Sequence, residues 1–274
     1  MSQLIDNLNT IESIKTDIKS AIEAKGVDMT GVSFPGYASK IGEISGGGGG
    51  WDQKSITEGN IEIINIDNYA SFVASNAFNG NKNIKTVNLP YATTVGNTAF
   101  QGCSSLSQVS LPVCSYIENN AFENCTSLSQ VSLPVCTRVK NYIFQSCRSL
   151  TQISLPVCSY IGVGAFWDCI SLSQLNLPVC SYISIYAFYN CRSLSQVSLP
   201  MCNTIDGNAF QGCRSLNIIT LGYSSICRLG DSNVFNKTQI TSSTGSIFVP
   251  TSLVESYKSA TNWSYFSTQI FPIE

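Results

Sequence analysis

The sequence has no histidine and little charge. Asp, Glu, Lys and Arg make up 12% of its 274 residues, and the formal net charge is −2. Without histidine, the side chain that most often serves as general base or metal ligand near neutral pH is missing. Sparse, balanced charge leaves no basic footprint for nucleic acid or an anionic membrane surface. No apolar run approaches the roughly 20 residues that cross a bilayer as a helix. The opening MSQLIDNLNTIESIKTD mixes acids and polar residues and lacks the basic-then-apolar pattern of a secretory signal, which favours folding in a reducing cytoplasm. Phosphate-cradling glycine loops, a GxSxG elbow, a CxxC pair and acidic metal clusters are also missing. The chain therefore reads as non-enzymatic, with no cofactor, no metal, no nucleic-acid partner and no membrane insertion.

What the chain does have is a period. The twenty-two residues from Cys103 to Asn124, CSSLSQVSLPVCSYIENNAFEN, return almost verbatim from Cys125, Cys147, Cys169 and Cys191, and are still legible from Cys213. Phe78, Phe100, Phe122, Phe144, Phe166, Phe188 and Phe210 keep one beat, and Phe235 follows after a slip of three. Leu89, Leu111, Leu133, Leu155, Leu177, Leu199 and Leu221 keep another, six of them followed by proline. A fixed period in the twenties is the mark of a solenoid, in which each unit buries its apolar face against its neighbours.

Twelve cysteines share this rhythm: Cys103 through Cys213 fall at intervals of eleven, two per repeat, and Cys227 comes fourteen later. Stacked in a column about 4.8 Å apart, they are within disulfide reach on distance. In-register side chains point in parallel, however, rather than at each other. The favoured reading is buried free thiols acting as small hydrophobes, over disulfides or a metal column.

In order along the chain, 1–45 reads as a helical attachment or oligomerisation module. Leu4, Leu8, Ile11, Ile14, Ile18 and Ile22 form one apolar stripe. That stripe either packs on its own domain or forms a short coiled coil, with a homotrimer as one outcome. The glycines of 46–50 make a flexible linker spanning about 12 Å. Residues 51–77 read as a capping first coil, 78–240 as the regular solenoid and 241–274 as a closing cap. In that cap Pro250, Ser252 as N-cap and Glu255 suggest a capping box for a helix over 253–260. Leu253, Val254, Tyr257, Trp263, Tyr265 and Phe266 would seal the last coil.

Within one repeat, alternation around Val109 and Leu111 predicts one short parallel strand per coil, with Gln108 and Ser110 outward and the following proline ending it. The outward residues then stack as Gln108, Gln130, Gln152, Gln174 and Gln196, beside Ser110, Ser132, Ser154, Asn176 and Ser198. Such a face is either a polar binding plane or an amide ladder satisfied within itself. Ile117, Ala121 and Phe122 turn inward in the second half.

Variation between repeats concentrates around the Ala-Phe pair. Two before the phenylalanine stand Asn76, Thr98, Asn120, Tyr142, Gly164, Tyr186 and Asn208; one after it stand Asn79, Gln101, Glu123, Gln145, Trp167, Tyr189 and Gln211. Tyr142, Trp167, Tyr186 and Tyr189 occupy three successive coils, where aromatics would anchor a protein partner or stack on a sugar, or else fold over the neighbouring coil as cover. Arg148, Arg192 and Arg214 form another column, one after the cysteine. The candidate binding residues are thus Tyr142, Trp167, Tyr186, Tyr189, Arg148, Arg192, Gln152 and Gln174.

The motif carried by Leu111-Pro112, Ile117, Ala121-Phe122, Cys125 and Ser127-Leu128 resembles the BspA-type leucine-rich repeats of bacterial surface proteins, over about residues 60–273. The closing IFVPTSLVESYKSATNWS is similar to the terminal coil of such arrays. The resemblance implies an α/β-type repeat solenoid, a right-handed leucine-rich repeat, and a role in adhesion and in protein or glycan binding. Separately, IKTDIKSAIEAKGVDMTGVSFPGYASKIGEI with its glycine run resembles segments that open bacteriophage tail and fibre proteins. Together they imply a phage tail-associated receptor-binding protein of the virion, holding other tail proteins through 1–45 and a bacterial surface glycan or protein through the solenoid. The alternatives are a BspA-like adhesion or interaction protein at the bacterial cell surface, and a structural virion component without ligand.

Overall fold

The structure, a computed structural model, describes the backbone of residues 63–65 and the whole of residues 71–222 and 225–273. The module at 1–45 with any trimer contact, the glycine linker and most of the capping first coil lie outside the described residues. What is described belongs to one compact unit, 62–274.

The chain winds as a β-solenoid of short coils with little helix. One ladder of ten parallel strands runs along it: Ile63–Asn65, Thr86–Asn88, Gln108–Ser110, Gln130–Ser132, Gln152–Ser154, Gln174–Asn176, Gln196–Leu199, Ile218–Leu221, Ser246–Val249 and Ile270–Pro272. Pairing is in register at the repeat period, Gln108 opposite Gln130 and Gln130 opposite Gln152. The four strands from Gln108–Ser110 to Gln174–Asn176 are each exposed, buried, exposed, so Val109, Val131, Ile153 and Leu175 enter the core and the glutamines stay out.

Besides the expected strand, the coils up to Arg228–Leu229 carry a second one. A second parallel ladder joins Phe72–Val73, Thr94–Val95 and Tyr116–Ile117, and, as a separate set, Arg138–Val139, Tyr160–Ile161, Tyr182–Ile183, Thr204–Ile205 and Arg228–Leu229. Strands of two residues are too short to show alternation in a sequence. Between the ladders, Leu-Pro-Val-Cys makes a β-turn: the Cys114 N–H donates to the Leu111 carbonyl at 3.3 Å, and Cys136 repeats this with Leu133. Proline holds the second turn position, where its fixed φ suits the bend and no N–H is required.

The second ladder is interrupted between Tyr116–Ile117 and Arg138–Val139, although the first ladder continues past that point. There the Lys140 side chain spans the gap. Its ammonium donates to the Tyr116 hydroxyl and, at 2.9 Å, to the Glu118 carboxylate, and it lies 4.0 Å from the Tyr116 ring centroid.

The core is built of columns. Phe100, Phe122, Phe144, Phe166, Phe188 and Phe210 are fully buried and stack ring on ring at 5.2–5.7 Å. Each contributes on the order of 1.5–3 kcal/mol of transfer free energy. The final coil is sealed by Tyr257, Trp263 and Phe266, which reach Phe235 and the strand edge. The Cys227 N–H donates to the Tyr257 hydroxyl at 2.8 Å, its carbonyl accepts from Trp263 Nε1 at 2.6 Å, and Asn262 Nδ2 donates to the Leu229 carbonyl at 2.9 Å. Cap side chains thus take the hydrogen bonds that another coil would make.

The cap helix covers Val254–Ser259, near the expected range, but the capping box does not form. A 3-10 turn over Thr251–Leu253 draws Ser252 inside the helical run, with no side-chain cap bond. Glu255 instead accepts from Lys258 at 2.9 Å, one turn on.

Candidate functional site

Two residues in each regular coil take the left-handed backbone region. One lies two before the phenylalanine, including Thr98 (φ 53), Tyr142 (φ 56), Gly164 (φ 55) and Tyr186 (φ 58). The other lies two after it, including Gly102 (φ 70), Ser146 (φ 58), Asp168 (φ 57) and Asn190 (φ 59). This conformation turns the N–H along the axis. Tyr142 donates to the Val163 carbonyl of the next coil at 2.9 Å, and Ser146 to the Trp167 carbonyl at 2.7 Å. The positions that vary freely in sequence are therefore constrained in backbone. Asparagine and glycine accept the left-handed region at little cost, whereas Tyr142 and Tyr186 hold it against roughly 1–2 kcal/mol.

The side chains along this turn edge divide into two halves. In the earlier coils they form an amide chain: Asn79 donates to Gln101 at 3.2 Å and Gln101 to Glu123 at 2.6 Å, while Asn120 adds a bond to the same carboxylate at 2.8 Å. Further along, the edge is aromatic. Trp167 lies 5.3 Å from Tyr186 and 4.9 Å from Tyr189 between ring centroids, both tilted, and the two tyrosines meet edge to face at 5.8 Å. Tyr142 covers Gly164 of the next coil so closely that a Cβ there would stand 2.5 Å from its ring. All four rings are half-buried. Beside them Asn190 donates to Asp168 at 3.0 Å, giving the cluster a polar rim. Partly covered, mutually packed rings with polar groups at their margin make a rigid contact surface of low entropy cost.

The other candidate residues lie elsewhere. Arg148 and Arg192 are exposed in their own column, and neither pairs with a carboxylate among the described residues. Gln152 and Gln174 sit on the first-ladder face. There the side chains of Gln108, Gln130, Gln152, Gln174 and Gln196 are exposed and make no hydrogen bond among the described residues, nor do those of Ser110, Ser132, Ser154, Asn176 and Ser198. The self-satisfied amide ladder is thus absent from the strand face and occurs on the turn edge instead. Exposed amides are already satisfied by water, so stacking alone gives them little reason to pair.

A third surface escaped the sequence reading. On the second ladder the Arg138 guanidinium lies 4.2 Å from the Tyr160 ring, Tyr160 stacks on Tyr182 at 5.3 Å, and the Tyr182 hydroxyl donates to Asp206. Arg228 stands 3.5 Å from the same carboxylate. The bond to Asp206, with burial adding to it, pushes the Tyr182 phenol up to about 12. These rings spend their faces and polar atoms on one another, which suits cohesion rather than capture. The recurring Ser-Tyr-Ile of Tyr116, Tyr160 and Tyr182 was the signal in the sequence.

All twelve cysteines are free and buried. Cys125, Cys147, Cys169 and Cys191 each donate Sγ–H to the phenylalanine carbonyl twenty-five residues earlier, at 3.1–3.2 Å. Cys136, Cys158 and Cys180 donate to the carbonyl two residues ahead, at 3.2–3.4 Å. Burial pushes Cys103 and Cys114 up to about 11 and holds Cys125 and Cys147 well above the usual range. Thiols held protonated in this way are poor nucleophiles and poor ligands. No group of three or more His, Cys, Asp or Glu side chains is placed to hold a metal ion among the described residues.

The family model for the BspA type leucine rich repeat region matches residues 53–169 and 137–260, which takes in the coils and the cap helix Val254–Ser259 and ends before Trp263. The chain belongs to the BspA-type leucine-rich repeat family. Among solved structures it is similar to a leucine rich repeat protein of T. pallidum, at 32% identity and TM-score 0.50, over 53% of this chain and 71% of that one. It also matches a leucine rich cell surface protein of Faecalibacterium prausnitzii at 21% identity and TM-score 0.42, over 71% and 65% of the two chains. The pneumococcal vaccine antigen PcpA matches at 12% identity and TM-score 0.45, over 74% and 77%. Comparison with curated proteins gave no match.

Proposed function

We propose that this protein is a non-catalytic binding protein of a bacterial cell surface, acting in adhesion or protein interaction through the aromatic turn edge. The observation that carries this reading is the packing of Trp167, Tyr186 and Tyr189 from adjacent coils beside Tyr142, with part of every ring left to solvent. Aromatic anchors ringed by polar groups dominate binding energy at protein interfaces. Membership of the BspA-type family supports the same assignment. Receptor binding from a phage tail would use this edge equally well, and its own support is the sequence of 1–45.

The test is binding of fluorescently labelled full-length protein to a panel of intact bacterial cells, before and after protease treatment of the cells. Protease-sensitive binding that Trp167→Ala and Tyr189→Ala each abolish, with unchanged thermal unfolding, is the expected result. Binding that survives both substitutions would remove the aromatic edge from the function. Light scattering on the full chain separates the two settings, since a trimer favours the tail fibre.

A further inference from the structure

We propose that the first-ladder face is a second binding site, a groove for a neutral, extended, β-linked polysaccharide laid along the solenoid axis with one sugar per coil. The open groove has a volume of ≈ 780 Å³ between Thr86 and Asn176, and the same strand face continues beyond it to Gln196 and Ser198. Its rims carry the glutamine and serine columns, and its floor is the slightly exposed row of Val109, Val131, Ile153 and Leu175, at 5–9%. None of the residues lining it is charged.

Three features select the occupant. First, the five glutamine side chains make no hydrogen bond among the described residues, while amides on the turn edge do. Each carboxamide therefore offers a donor and an acceptor, the pairing that a sugar hydroxyl, itself both, can meet. Second, the lack of charge disfavours nucleic acid and acidic polymers, whose binding depends on ion pairing. Third, the glutamines repeat at the coil spacing of about 4.8 Å. A peptide strand presents one face every two residues, roughly 6.6 Å, and loses step with the array. An extended chain of equatorially β-linked hexopyranoses advances by close to one coil spacing per sugar; alternate rings turn over, but both ring edges carry hydroxyls, and a carboxamide, donor and acceptor at once, can meet either.

The array is also finite. Its glutamine row is bounded by Thr86 before Gln108 and by Ile218 after Gln196, in strands that pair with the end rungs. It therefore offers five consecutive rungs.

Affinity electrophoresis of the full-length protein in native gels containing hydroxyethylcellulose, with soluble starch as the α-linked control, tests the proposal. Retardation by the β-linked polymer alone is expected. Calorimetry with cello-oligosaccharides should show affinity rising with length and levelling off near the five rungs of the array. The triple variant Q130A/Q152A/Q174A should weaken binding by at least about tenfold, comparable to losing one or two net hydrogen bonds. All three positions are exposed, and an unchanged unfolding midpoint confirms that the variant folds. Trp167→Ala should leave retardation intact, which separates this site from the aromatic edge. No retardation by hydroxyethylcellulose, equal retardation by starch, or full binding by the triple variant would each overturn the proposal.

Discussion

The thiol of Cys147 donates to the backbone carbonyl of Phe122 at 3.2 Å, tying one coil to the coil before it. The carbonyl points into the core, where water cannot serve it, and the cysteine is both small enough to fit the column and able to donate. Cys147→Ala therefore removes apolar volume and one of the two hydrogen bonds that this carbonyl accepts, the other coming from the Cys125 N–H at 3.2 Å. It should lower the free energy of unfolding by about 1–3 kcal/mol, read as a shift of the urea midpoint at unchanged slope.

The same burial sets a pH dependence. In the unfolded chain the thiols ionise near their ordinary value of 9.0, while in the folded chain Cys103 and Cys114 hold their protons to about 11 and Cys136 to about 12. A raised folded-state value favours the native protein fully below the unfolded value, and the gain is lost as pH climbs through the folded values. The thermal midpoint should hold from pH about 6 to 8 and fall steeply above about 9. A midpoint unchanged well above pH 10 would contradict this account.

Phe166 lies between Phe144 at 5.4 Å and Phe188 at 5.2 Å. Phe166→Ala opens a cavity in mid-column that neighbouring coils cannot close without losing register. A loss of about 3–5 kcal/mol is expected, measured by denaturant titration and accompanied by early exposure of the adjacent thiols to Ellman's reagent.

Tyr142 and Gly164 make a matched pair of substitutions. Tyr142→Gly relieves a left-handed tyrosine and should change stability by less than about 1 kcal/mol despite the lost ring. Gly164→Ala puts a Cβ within 2.5 Å of that ring, so Tyr142 must swing out. It should destabilise by about 1–3 kcal/mol and disturb the surface contributed by Trp167, visible as a shift in tryptophan emission.

The period of Phe100, Leu111 and Cys125 made the coil, the buried columns and the free thiols legible in the sequence, because each is a repeated apolar choice. The second ladder was not legible, since Tyr116–Ile117 is too short to show a period. Ser252 and Glu255 have capping-box spacing, but that pattern cannot reveal a 3-10 turn starting one residue earlier. The residues two before each phenylalanine looked unconstrained because their constraint is on φ, which Asn76, Gly164 and Tyr186 meet with different side chains. The meeting of Trp167 with Tyr186 and Tyr189 followed from the period, but the covering of Gly164 by Tyr142 depends on a ring orientation that spacing does not encode.

The interruption between Tyr116–Ile117 and Arg138–Val139 has a mechanical consequence. A protein anchored at one end and gripping a partner at the other carries load through its coils in series, and the joint with the fewest backbone bonds yields first. At this joint one ladder persists, and the other is replaced by side-chain bonds alone, those of Lys140 to Tyr116 and Glu118 and the one that the Asn119 amide oxygen accepts from the Asn141 N–H. Under tension the coils up to Ile117 should part from those beyond Arg138 as a block, lengthening the molecule while the packed rings of Trp167, Tyr186 and Tyr189 stay together.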